Sequence, residues 1–161
     1  MTSNTLQSKF GTFTLVASKR GLQRVFFGDQ HQTNDNSDSD EEAEEVLKLA
    51  CSELGAYFSG KLRHWQVPLD FRDSGTPFQR EVWEALSKIP YGETRSYKEI
   101  AASISRPKAV RAIGQANHNN PIPIVIPCHR VVGHNGKLVG YGGGLELKQR
   151  LLSLESEALK S

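Results

Sequence analysis

The chain has 161 residues, 37% of them apolar and 24% charged, which fits one ordinary domain or two small ones sharing an interface. No apolar run approaches the ~20 residues of a membrane helix, and the polar start Met1 to Phe10 lacks the apolar centre of a secretory signal. Two cysteines, Cys51 and Cys128, are too few for a disulfide framework, and no Cys or His pair has zinc-site spacing. The expectation is a cytoplasmic protein with free thiols, no structural metal and no membrane association. The net charge of +2 hides an asymmetry. Residues 1–72 carry 8 Lys and Arg against 10 Asp and Glu, whereas residues 73–161 carry 12 against 8.

In chain order, Gly11–Ala17 and Leu22–Phe27 read as two strands around the turn Ser18-Lys19-Arg20-Gly21. Residues 28–42 are polar and acidic and read as a mobile loop. A helix is expected over about 43–58, with Val46, Leu47, Leu49, Leu54 and Phe58 on its apolar side. Val67–Phe71 resembles an edge strand, because Pro68 has no N–H to donate. Asp73-Ser74-Gly75-Thr76 marks a boundary, giving domains of 1–72 and 76–161.

Beyond it the punctuation is helical. Thr76-Pro77-Phe78-Gln79 offers an N-cap, a first-turn proline and a capping-box glutamine. Phe78, Val82 and Leu86 then repeat at helical spacing beside Trp83. Ser96-Tyr97-Lys98-Glu99 is a second capping box, opening a short helix through Ile104. After the turn Ser105-Arg106-Pro107, a third helix is expected from Lys108 to His118, with Val110 and Ile113 inward. Two short helices across a tight turn make a helix-turn-helix. Around it lie Arg95, Lys98, Arg106, Lys108, Arg111 and Arg130, against the single acid Glu99. Such a patch meets phosphates. Ala109, Ala112, Gly114 and Ala116 make the third helix small-sided, for packing or for close approach to a minor groove.

The segment Asn119 to His129 holds three prolines in seven residues and an Ile-Val-Ile run, a stiff support that fixes Cys128 in the core. His129 follows directly. In the last helix, expected from Leu145 to Ala158, Glu155 falls at ~100° per residue between Leu151 and Leu152, on the apolar face. A carboxylate there needs a partner, and His129 is the candidate. A base held by a carboxylate beside a thiol is an arrangement for nucleophilic chemistry, and such a neighbour is expected to lower the pKa of the thiol.

Pro127-Cys128-His129-Arg130-Val131, preceded by Asn120-Pro121 and followed by Gly140-Tyr141 and the Lys148…Leu151-Leu152…Glu155 helix, closely resembles the O6-alkylguanine-DNA alkyltransferases. The resemblance is dense from Pro77 to Glu155 and weak over 1–72. It implies an α+β fold: an RNase H-like N-terminal scaffold of a small antiparallel sheet with a helix, then a winged-helix-like domain carrying the helix-turn-helix. It implies direct reversal of DNA damage, with the alkyl group of O6-alkylguanine, and of O4-alkylthymine, moving once and irreversibly to Cys128 after minor-groove binding and base flipping. By motif position Cys128 resembles the acceptor, His129 the base acting through a water, Glu155 the group orienting His129, and Asn120 the brace of the turn. Tyr97 resembles the donor to the guanine ring, and Val131, Tyr141 and Gly142 line the base pocket. Arg111 resembles the finger that fills the vacated stack, with Lys108, Ala109, Ala112, Gly114 and Asn117 on the DNA-facing helix. No cofactor is implied. The partner is double-stranded DNA containing O6-alkylguanine, and the expected form is a monomer, with cooperative assembly on DNA left open.

This chain departs from some members. It lacks the N-terminal Cys and His of those that hold zinc, carries Gly142 where some have serine, and has Asn117 where a large apolar residue is frequent. Three rival readings remain: a non-catalytic protein that binds alkylated DNA and recruits repair factors, a transcriptional regulator, and a cysteine hydrolase. The cysteine opposes the first. The second leaves Cys128, His129 and Glu155 unexplained, and the third does not account for Arg111.

Overall fold

The computed structural model describes residues 2–30 and 41–160, which divide into compact units of 1–73 and 74–161. In the first unit, β1 (Thr2–Ser8), β2 (Gly11–Ser18) and β3 (Gly21–Phe27) form an antiparallel sheet in the order β1-β2-β3. Leu6 pairs with Phe13, Leu15 with Val25, and the register shifts at Val16/Ala17. The hairpin matches expectation, but β1 went unseen. Its sequence TSNTLQS has one large apolar side chain, and as an edge strand it is held by backbone pairing to β2.

α1 (Glu41–Phe58) packs on this sheet through Ala43, Leu47, Ala50, Leu54, Tyr57 and Phe58. The stripe advances by three or four residues. Leu49 sits about 200° around from Leu47 at ~100° per residue and is 39% exposed, a correction to the expected apolar side. Phe58 stacks on Phe10 and Phe13 at 4.9 and 5.3 Å between ring centroids. Val67–Phe71 is not a strand. It makes one parallel bridge, Leu22 to Leu69, in which Leu22 N–H donates to Pro68 O (2.8 Å) and Asp70 N–H to Leu22 O (2.9 Å). That close approach requires Gly21, because a Cβ there would lie 2.6 Å from Pro68 O. Of the expected loop 28–42, residues 31–40 lie outside the described residues, and Glu41 and Glu42 already belong to α1.

The second unit begins with α2 (Pro77–Leu86), whose Thr76–Gln79 capping box forms as the sequence predicts. β4 (Arg95–Ser96) leads into α3 (Tyr97–Ser103), capped reciprocally by Ser96 and Glu99. A turn with Ser105 at φ 61° connects to α4 (Val110–His118). α4 starts two residues later than expected, with Ala109 as an N-cap that makes no side-chain bond. α2 and α4 are tied where the buried Trp83 Nε1–H donates to Ala116 O at 2.7 Å. Ala116 itself is fully buried, so it is not part of the exposed side of α4. β5 (Val131–Val132) pairs parallel with β4, and α5 (Leu145–Leu159) closes the unit. Ile113, Ile122, Ile126 and Leu151 are fully buried in its core. No helix among the described residues is long and apolar enough to cross a membrane.

Candidate active site

The nucleophile's support is a chain folded on itself. Asn120 Nδ2 donates to Ile126 O (2.8 Å), its Oδ1 accepts from Ile122 N–H (3.0 Å), and Ile126 N–H donates to Ile122 O (2.9 Å). Ile124 stands between them at φ 76° and is fully buried. A β-branched residue in the left-handed region costs of order 1–3 kcal/mol and persists only where its surroundings enforce it. Here the gain is visible: the Ile124 backbone is one of the groups that favour the thiolate of Cys128.

Cys128 opens a 3-10 turn, Cys128–Arg130, and is 4% exposed. Burial pushes its thiol up to about 11, against the opposing pull of the Asn120 amide, the Lys148 ammonium and backbone groups. The expectation that a basic neighbour leaves a depressed thiol is therefore corrected. Desolvation wins in the DNA-free protein, so at neutral pH Cys128 rests as a thiol whose proton must be removed.

Next in the chain, His129 Nε2 and Glu155 Oε2 share a hydrogen bond of 2.6 Å, with both side chains fully buried. Burial holds His129 below its ordinary range although Glu155 pulls the other way, so it rests neutral. For Glu155, burial alone would raise the carboxyl. His129 and Arg130 outweigh it and bring the group down to about 2. Arg130 donates from Nε to Glu155 Oε1 (2.8 Å), from Nη2 to Oε2 (3.1 Å) and from Nη1 to Ile89 O (2.8 Å). Gly92 N–H donates to Oε1 at 3.0 Å. Gly92 sits at φ 80°, the left-handed backbone that favours glycine, and a Cβ there would also press on the side-chain tip of Leu159.

Sequence reasoning quoted Lys148 within the motif but gave it no role. It is fully buried, and Nζ donates to Val131 O (2.6 Å), Val139 O (2.9 Å) and Gly140 O (3.3 Å). The signal was present, since Lys148 lies seven residues before Glu155, two turns back on the same helix face. Arg130 was misplaced. Counted in the phosphate-facing patch, it is 5% exposed and committed to Glu155. Arg95 pairs with Glu93 at 3.0 Å, and Arg106 with Glu81 at 3.2 Å. Lys98, Lys108 and Arg111 are the exposed cations that remain of the patch.

The other expected positions divide. Tyr97 is half-buried. Its hydroxyl donates to Val139 O at 3.5 Å, and burial raises its phenol while Asn117 lowers it. Tyr141, also half-buried, keeps its hydroxyl inside, and its phenol is raised well above its ordinary value by burial and then by Cys128 and Glu155. Val131 is buried and Gly142 exposed. On α4, Arg111 and Ala112 are exposed, Ala109 just before it and Gly114 are half-buried, and a Cβ on Gly114 would touch the Tyr97 ring at 3.9 Å. Asn117 does not join the exposed face. It is 5% exposed, and Nδ2 donates to Cys128 O at 3.4 Å. The turn of α4 carries it inward beside Ile113 and Ala116, so it supports the nucleophile's backbone.

A buried thiol directly followed by a histidine paired with a carboxylate, in the same unit as a helix-turn-helix, defines a protein built for covalent chemistry beside a nucleic-acid-binding element. Residues 1–71 match the family model described as "6-O-methylguanine DNA methyltransferase, ribonuclease-like domain", and residues 77–157 match "6-O-methylguanine DNA methyltransferase, DNA binding domain". The chain belongs to the O6-alkylguanine-DNA alkyltransferase family. It is 48% identical over 149 residues to a methylated-DNA–protein-cysteine methyltransferase of Methanosarcina acetivorans, covering 92% of this chain and 94% of that one. Among solved structures it is similar to Mycobacterium tuberculosis OGT in complex with DNA, with a TM-score of 0.83 and 45% identity, over 97% of this chain and 93% of that chain. The O6-methylguanine-DNA methyltransferase of Pyrococcus kodakaraensis is more distant, with a TM-score of 0.63 and 26% identity over 95% and 97% of the two chains.

Proposed function

We propose that this protein repairs alkylated DNA by direct reversal, transferring the alkyl group of O6-alkylguanine, and of O4-alkylthymine, to the sulfur of Cys128. The observation that carries the reading is a buried thiol on a braced turn, directly followed by a neutral histidine held by an ionised carboxylate. O6 cannot be reached within a duplex, so the nucleotide is flipped out at a cost of a few kcal/mol. Arg111, exposed on α4, fills the vacated stack, while Lys108 and the small side chains Ala109, Ala112 and Gly114 allow close approach to the minor groove.

With the base in place, His129 takes the thiol proton through a water, and the thiolate attacks the alkyl carbon. One C–S bond forms as the C–O6 bond breaks, and its electron pair leaves with the guanine. Tyr97, whose raised phenol stays protonated, donates to the ring as negative charge develops there. Main-chain groups of Cys128 and Val131 read the base edge, and Tyr141 and Gly142 border the pocket. The thioether is final, so one chain, acting as a monomer, repairs one lesion. Residues 1–72 serve as scaffold and 76–161 bind DNA and react. A free thiol suits the reducing cytoplasm.

The test is to mix the protein with a duplex carrying one O6-methylguanine and weigh the intact chain. A stoichiometric gain of one methylene on Cys128, absent in Cys128→Ser, is expected. Bound DNA with unchanged mass would instead support the recruiting protein.

A further inference from the structure

The Glu155 carboxylate is saturated: Oε1 accepts from Arg130 Nε and Gly92 N–H, and Oε2 from Arg130 Nη2 while sharing a hydrogen bond with His129. The bidentate guanidinium is itself fixed by Ile89 O and lies over the Tyr91 ring at 5.5 Å from its centroid. A carboxylate devoted to a histidine alone would favour the imidazolium, which cannot accept a proton. Here the negative charge is already matched by Arg130, and a second buried cation, Lys148, faces the same histidine. We propose that Arg130 is a positioning residue of the transfer reaction: by saturating Glu155 it keeps His129 uncharged and ready to take the thiol proton.

The inference rests on the alkyl-transfer reading, but its first measurement does not. The charged groups acting on His129 are Glu155 and Lys148 from α5 and Arg130 from its own turn; the Tyr91 ring lies against Arg130, and the Tyr141 phenol is influenced by Cys128 and Glu155. Of these, Glu155 is the strong anion. Removing Arg130 leaves that anion beside His129, which raises the imidazole by about 1–3 pH units.

The experiment follows the His129 ring by NMR in histidine-labelled full-length protein, and transfer to Cys128 by mass across pH 5.5–9. In R130Q the His129 midpoint should rise by about 1–3 units. Transfer at pH 6.5 should fall about tenfold or more relative to the native chain and recover toward pH 9. In R130Q/E155Q, where the anion is gone as well, the midpoint should return downward. An unmoved midpoint, or a loss of the same size at every pH, would overturn the proposal and leave Arg130 a structural strut. Should R130Q fail to fold, the same titration is made on R130M, which keeps the length of the side chain without its charge or its hold on Glu155, and an unmoved His129 midpoint there overturns the proposal. A native chain that transfers at no pH would sink the alkyl-transfer reading while the NMR titration still judges Arg130.

Discussion

Both units bury charge, but to different ends. In the first, Glu53 is 6% exposed and accepts from the N–H groups of Gln66 (2.9 Å) and Val67 (2.7 Å). Asp70, 8% exposed, accepts from Ser18 Oγ at 2.9 Å. Each carboxylate pins a strap of chain that forms little regular structure of its own. In the second unit His129, Arg130, Lys148 and Glu155 are all buried, and His129 and Arg130 both bond the Glu155 carboxylate. A buried acid bonded to backbone N–H groups is a fastener. A buried acid that shares its oxygens between a histidine and an arginine, next to a nucleophile, controls where a proton sits. The contrast shows that burial of charge does not mark a reaction centre by itself; the identity of the partners does.

The sharpest way to break that distinction is to remove each acid. Glu155→Ala strands Arg130 in the core and should cost about 3–5 kcal/mol, the range for one partner of a buried pair, and should also slow alkyl transfer. Glu53→Ala should cost about 1.5–3 kcal/mol for its charged hydrogen bonds and leave the transfer rate of the folded fraction unchanged. Denaturant unfolding together with single-turnover transfer separates the two. If Glu53→Ala slowed transfer in folded protein, the first unit would be more than a scaffold.

Acid provides a third test. Glu155 titrates at about 2 in the folded chain against an ordinary 4.5. Its stabilisation is therefore complete above about pH 4.5 and disappears as pH falls through about 2, amounting to about 3 kcal/mol. Neutral buried His129 acts in the same direction, because the unfolded chain binds its proton first as pH drops below the ordinary imidazole range. Unfolding free energies should fall as pH drops from 7 to 2 in the native chain and lose the lower part of that slope in Glu155→Gln. An unchanged slope would mean that Glu155 is not the group being protonated.

Much of this was legible in the sequence, and the misses have physical causes. The capping boxes at Thr76–Gln79 and Ser96–Glu99 were readable because their bonds are local. Glu155 was readable because helical periodicity placed it among leucines. β1 was not, since an edge strand of threonine, serine and asparagine draws its order from pairing to β2, which no local pattern reports. Arg130 was read as a surface cation because charge counting does not reveal which cations turn inward. Asn117 was placed on the DNA-facing helix by motif position, which does not report burial, and its side chain instead reaches the Cys128 carbonyl.

The smallest stability effect expected tests the other half of the comparison, the surface that the active-site unit leaves exposed. Arg111 is exposed on α4, near Lys108 and Ala112 in the chain. Arg111→Ala should therefore shift stability by less than about 0.5 kcal/mol, as surface substitutions do. Its effect should fall on repair instead. If Arg111 fills the gap left by the flipped nucleotide, transfer from duplex DNA slows, whereas transfer from a single-stranded oligonucleotide, with no stack to refill, falls much less. Loss of phosphate contact alone would weaken both substrates together and reduce the salt dependence of binding by about one counterion. Equal losses on duplex and single strand would remove Arg111 from the stack and leave it as one more cation of the patch. A duplex-selective loss in a chain of undiminished stability would locate function on this exposed face of α4, apart from the buried cluster that holds the proton.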